Sequence, residues 1–398
     1  MFIILILSVS SVFKAFSNEH SEDTIRKSEK VLEQRVGANN LSNIKDMVID
    51  SNLDLKISYE KLYQTQRQIC LARAKCFSYG FGDAFIIYYT NAFSSLVLFE
   101  LGTSLPSKWF NVRRTKYLKR AEEQNLSALK ENIKNQVSTL YYGVLKDESV
   151  LQLADYELIL MDKLFKNLRI QVDAGLIDEK EMIDHKVKHL RQRQEYLLFE
   201  SYLLDEKLAF KNLLNKDFRD KIVLQPDGRF LSHDDISVDT ETFGKQAQDR
   251  SYEIKASNEI LNAAYAAKKS TKWSIMSFSG LGFDYLSKIR IKSSKIKDAI
   301  FRKKLISQNI LLSTYSKESS LRISIDYLGS EKEMLEASKQ YMYSKNEEFN
   351  SGKIMFSDLI KAKLYCLKDY KKMIVSHYNS LFRLDDLESS PWKSYKYE

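Results

Sequence analysis

Ala174-Gly175-Leu176-Ile177-Asp178 and Ser351-Gly352-Lys353-Ile354-Met355 each stand between two long helical patterns, and their glycines lie 177 positions apart. A helix commonly ends at a glycine in the left-handed conformation, so each stretch predicts a tight turn between antiparallel helices. The apolar seams on either side support an internal repeat in the same register. After Gly175 the seam runs Ile183, Val187, Leu190, Leu197, Leu204; after Gly352 it runs Ile360, Leu364, Leu367, Ile374, Leu381. Before the glycines, Leu151, Leu158, Phe165 and Val172 match Leu328, Leu335, Met342 and Phe349. Steps of four and three residues make a heptad, which requires left-handed coiled-coil packing.

Outward from the turns, the helices have nothing to stop them. The 398 residues contain 12 Gly and 3 Pro, about a third of the usual share. Sandwiches, barrels of porin size and doubly wound sheets need a turn residue about every ten positions, so they are excluded. From Ser107 to Val172 the only helix breaker is Gly143, and such a segment rises roughly 100 Å at 1.5 Å per residue. Globular cores do not reach that length.

A second pair of landmarks opens each half. Asn52-Leu53-Asp54-Leu55-Lys56 is echoed by Ser251-Tyr252-Glu253-Ile254-Lys255 at an offset of 199. The offset must therefore shrink by 22 residues in the upper connection. In the first half this connection, residues 79–106, is rich in aromatic and β-prone residues and suits a hairpin of two strands, each long enough to cross a bilayer at a tilt. In the second half it is shortened to residues 273–291. The expected organisation is a first repeat over 45–215, a linker over 216–243 containing Pro226-Asp227-Gly228, a second repeat over 244–388 and a polar tail over 389–398.

The N-terminus reads as an address. An apolar run from Phe2 to Val12 precedes Ala15-Phe16-Ser17, which suits a signal peptide over 1–17 followed by an extension over 18–44. The three cysteines, Cys70, Cys76 and Cys366, are an odd number and suggest packed thiols rather than a disulfide framework. The net charge of +9 reads as spread along solvated helix faces rather than gathered in a block, so no nucleic-acid partner is expected.

With its opening Asn52-Leu53-Asp54-Leu55, its later Ala72-Arg73-Ala74, its duplication and its glycine hairpins, the chain resembles the TolC family of outer-membrane efflux and secretion channels. The resemblance runs from about Asn52 to Leu387. It includes the pattern of a glycine, a polar residue three positions on and an acid six positions on: Gly175, Asp178 and Glu181, then Gly352 and Asp358, with Met355 departing from the pattern. The resemblance implies a mainly α fold, with long coiled-coil hairpins forming part of a trimeric helical barrel and a small shared β-barrel in the outer membrane. It implies passive conduction, a homotrimer, a periplasmic adaptor (membrane fusion) protein, an inner-membrane pump or type I secretion system, outer-membrane lipid, and no cofactor. Gate positions implied by it are Asp358 and Glu181, with Asp184 and Lys361 beside them as pairing or constriction candidates. The hairpin tips, Gly175, Leu176, Ile177, Gly352, Ile354 and Phe356, are the implied adaptor contact.

Two rival readings stay open on sequence alone. A scaffolding coiled coil of the periplasm fits the shortened second connection. A metal enzyme fits Glu181, His185 and His189, which a four-residue spacing puts on one helix face, although no fourth ligand is evident. Walker, dinucleotide-binding and GxSxG signatures are absent, which argues against an enzyme.

Overall fold

The structure is a computed structural model that describes residues 40–77, 94–226, 231, 240–274 and 284–388. Among these residues there are eight helices: α1 (Leu41–Ser51), α2 (Leu53–Phe77), α3 (Ser94–Asp173), α4 (Glu179–Leu213), α5 (Thr240–Arg250), α6 (Tyr252–Trp273), α7 (Tyr285–Asn350) and α8 (Phe356–Glu388). With 80 and 66 residues, α3 and α7 rise about 120 Å and about 100 Å and act as two continuous struts.

The other helices fill a wall around these struts. In its upper half the order is α2, α3, α6, α7, and in its lower half it is α4, α3, α8, α7. The short helices are stacked end to end, as shown by the Asn52 amide, which donates to the carbonyl of Leu213 at the end of α4 (3.2 Å). Asn52 also stops α2 from fraying: its side-chain oxygen accepts from the backbone N–H of Asp54 (2.9 Å) and Leu55 (3.2 Å), satisfying helix-end donors that have no intrahelical partner. At the offset of 199, Ser251 caps α6 in the same way through Glu253 and Ile254.

Two apolar clusters hold the wall. At mid-height Ile133, Val137, Tyr141, Leu145, Leu321 and Leu381 pack with Ile44 and Val48 of α1 and with Phe210, Leu224 and Leu231. The linker therefore contributes to the core, and the Tyr141 hydroxyl donates to the Gln225 carbonyl. Lower down, Leu160, Leu164, Leu168, Leu335, Met342, Ile360 and Leu367 interdigitate. Cys366 is buried among them, and burial pushes its thiol up to about 11, so it is an inert packing residue.

The structure departs from the sequence reading in three places. Residues 94–106, assigned to the later part of a β-hairpin, are the start of α3, and residues 285–291 are the start of α7. Leu96, Leu98, Glu100, Leu101 and Leu105 favour helix, and Pro106 is held inside it. The strand assignments for 79–93 and 275–283 lie outside the described residues, as do the signal peptide and the polar tail. Second, α1 begins within the stretch read as an N-terminal extension. Third, the paired seams differ in cover. Ile360, Leu367 and Leu381 are buried between α3 and α7, whereas Ile183, Val187, Leu190, Leu197 and Leu204 are all exposed, because α4 lies at the edge of the wall.

Candidate functional site at the glycine hairpins

Both lower turns are built by the same backbone hydrogen bonds. Gly175 N–H donates to Val172 (2.8 Å) and Leu176 N–H to Gln171 (2.9 Å); Gly352 N–H donates to Phe349 (2.9 Å) and Lys353 N–H to Glu348 (2.8 Å). These are Schellman caps, and they require the positive φ of 71° at Gly175 and 72° at Gly352. The departing helices then differ. Asp178 caps α4 by accepting from Lys180 N–H (3.3 Å). Its counterpart at the offset of 177, Met355, has no such oxygen and is exposed.

The apolar residues beside the turns divide into two kinds. Leu176 is 69% exposed. Ile177 and Phe356 pack onto the lower core, with the Phe356 ring 5.9 Å from that of Phe349, and Ile354 is half-buried. The exposed apolar surface of the tips is thus Leu176 and Met355, and Met355, noted in the sequence only as a departure from the hairpin pattern, was not among the implied adaptor contacts. Its signal was the missing cap.

The charged residues are held mostly within their own helices. Lys361 lies 3.7 Å from Asp358, and Lys188 lies 2.6 Å from Asp184. Lys361 and Asp358 meet because both project from the first turns of α8. The Lys188 hydrogen bond holds the Asp184 carboxyl below its ordinary range, with desolvation opposing it and the charges of Lys188, His185 and Arg191 adding to it. Across the second hairpin Asp358 reinforces Lys345, whose pKa is raised chiefly by its hydrogen bond to Glu348. Of Glu181, the backbone lies in the first turn of α4 at the position equivalent to Asp358.

His189 and His185 lie on α4, and His189 Nε2 meets Asp162 of α3 at 3.0 Å. Among the described residues no three His, Cys, Asp or Glu side chains gather as a metal site. Likewise, among them no helix is long and apolar enough to cross a membrane.

No family model matches the chain, and no curated protein matches it by sequence. Its fold, however, is that of solved outer-membrane channels. It superposes on a membrane protein from Pseudomonas aeruginosa with a TM-score of 0.71 at 13% identity, over 88% of this chain and 93% of that one. For the Campylobacter jejuni CmeC outer membrane channel the values are 0.69, 11%, 89% and 86%. For the outer membrane protein VceC from Vibrio cholerae they are 0.67, 11%, 88% and 95%.

Proposed function

We propose that the protein is the outer-membrane channel component of an efflux pump or type I secretion system, assembled from three copies and conducting cargo passively. The observation that carries this reading is the pair of open edges of the wall. One edge is α2 above and α4 below, with Ile57, Tyr63, Leu190 and Leu197 exposed; the other is α7, with Leu305, Leu312, Ile323 and Tyr327 exposed. Two different apolar edges on one chain favour a head-to-tail contact, and such contacts close into a ring when the rotation allows. A closed ring of long helices encloses a lumen and buries the α4 seam that one chain leaves uncovered. The shared fold of the outer-membrane channels supports the same arrangement.

In this assembly the upper connections form the membrane barrel, since strand edges in lipid must be closed, and the helices project into the periplasm after export. The glycine hairpins meet at the lower end. There Asp358 and Glu181 of three copies line a constriction, where gathered carboxylates favour cations, and Lys361 and Asp184 tune it. Leu176 and the exposed Met355, with Gly175, Gly352 and Ile354 beside them, form the surface offered to a periplasmic adaptor, with Ile177 and Phe356 packed behind it and an inner-membrane pump beyond. The protein performs no chemistry.

Planar-bilayer recording of the purified protein tests this reading. Stable unitary conductance steps are expected. A homogeneous protein that associates into a ring and never conducts would instead indicate a scaffold.

A further inference from the structure

The sequence reading treated the positive charge as dispersed, but the fold gathers it. Between residues 107 and 121, α3 carries six Lys or Arg and no acid; between 260 and 274, α6 carries three and none. Between 284 and 304, α7 carries eight, against Asp284 and Asp298. Seventeen basic and two acidic residues in these segments exceed the charge of the whole chain, +9, so the remainder is net acidic. The α3 and α7 segments are each locally basic, but they lie far apart in sequence and form one block only when three helices align.

They do align at the upper end of the wall. The Ser107 and Ser270 hydroxyls are 3.2 Å apart, and the Tyr285 hydroxyl donates to the Lys272 carbonyl at 3.4 Å. The collar is crowded enough that Lys292 is held below the ordinary lysine range, first by desolvation and then by Arg114 and Lys295. Arg113, Arg114, Lys288 and Arg290 are all exposed. Aromatic rings are interleaved with the cations: Arg113 lies 5.7 Å from the Trp109 ring and Lys269 lies 5.8 Å from that of Phe110. Trp109 and Trp273 are 55% and 41% exposed.

We propose that this collar on α3, α6 and α7 is a docking surface for anionic phospholipid headgroups. The charge complementarity is direct, since basic residues beside a membrane attract anionic lipid. Tryptophans beside cations are the residues that settle at the headgroup level. The connection over residues 275–283 joins the ends of α6 and α7 within the collar, while α3 runs on past it to Ser94, where the connection over 78–93 joins it. The inference rests on the outer-membrane reading, in which those connections enter the bilayer and the collar faces its periplasmic leaflet.

Tryptophan quenching tests it. Substituting Trp392→Phe leaves Trp109 and Trp273 as the only tryptophans. The full-length protein in detergent micelles is then given equal mole fractions of brominated phosphatidylglycerol or brominated phosphatidylcholine. Phosphatidylglycerol is expected to quench at least about threefold more effectively. The preference is expected to vanish at 0.5 M NaCl, and in an Arg113→Gln, Arg114→Gln, Lys288→Gln, Arg290→Gln variant of unchanged helical circular dichroism. Salt sensitivity of the unaltered collar keeps the test decisive if that variant misfolds. Equal quenching by the two lipids would overturn the proposal. So would an equal response accompanied by anion-selective conductance that the variant loses, which would assign the collar to ions in the lumen. Selective quenching by a protein that never conducts in bilayers would leave the collar standing and remove the channel reading.

Discussion

The Lys371 ammonium on α8 and the Glu157 carboxylate on α3 form an ion pair inside the lower half of the wall, and the Gln192 amide of α4 donates to the same carboxylate oxygen at 2.9 Å. One carboxylate thus ties three neighbouring helices, two of them through side chains far apart in sequence. Both partners are largely buried, so removing only one strands a charge away from water. The Lys371→Met substitution is expected to destabilise by about 3 kcal/mol, measured by thermal circular dichroism. A second change, Glu157→Gln, is expected to restore most of that loss, since an amide needs no counter-charge.

The helix caps at Asn52 and Ser251 make a matched pair of tests. Ser251→Ala removes a cap and is expected to cost about 1 kcal/mol. Asn52→Ala is expected to cost more, because Asn52 also holds the end of α4 through Leu213. Equal melting points for the two variants would show that the junction between α4 and α2 carries no weight.

The helix starts at Asn52 and Ser251 and the glycine hairpins were legible because they are local: the helix-end groups satisfied there lie within five positions, whereas the bond from Asn52 to Leu213 is long-range and was not read. The cover of the seams was not. Periodicity says that Leu190 and Leu367 each lie on an apolar stripe, but it carries no information on which stripe faces a helix of the same chain. The basic collar escaped notice for a related reason, since Arg114, Lys269 and Lys288 belong to three segments that only the antiparallel packing assembles. At the tips, spacing identified Asp358 and Glu181 as equivalent. It did not reveal that Ile177 and Phe356 turn inward while Leu176 and Met355 stay out.

A pH response should arise between α3 and α4. The Glu206 carboxyl is pushed up to about 6 by burial and then by Asp147, with Lys146 opposing. It lies against the helix backbone at Gly143, where an added Cβ would stand 3.0 Å from its oxygen. Its folded pKa lies above the ordinary 4.5, so its stabilising contribution is full below about 4.5 and is lost as the pH rises through about 6. The melting point is therefore expected to fall between pH 5 and pH 7 more in the wild type than in Glu206→Gln. Parallel pH profiles would contradict this origin.

The two turns should respond to alanine through backbone strain alone. No atom lies within 4 Å of a Cβ built on Gly175 or Gly352, yet both have positive φ. Gly352→Ala is expected to cost about 1 kcal/mol in thermal unfolding, with Gly175→Ala similar. A stabilised variant would show that the turn had abandoned its left-handed residue.

At the proposed constriction, Asp358→Asn is expected to lower the cation-to-anion permeability ratio about twofold or more, and Lys361→Met to raise it, by reversal potentials in a salt gradient. Unchanged selectivity in both would make Asp358 and Lys361 an ordinary solvated helix pair.

In the proposed assembly two unlike apolar edges of one chain meet in a closed ring of three. Light scattering of the detergent-solubilised protein, corrected for bound detergent, measures this most directly. The expected protein mass is three times that of one chain, and Leu190→Glu with Leu197→Glu on the α4 edge should dissociate it to single chains. A wild-type protein that is itself a single chain in solution would rule out the closed ring.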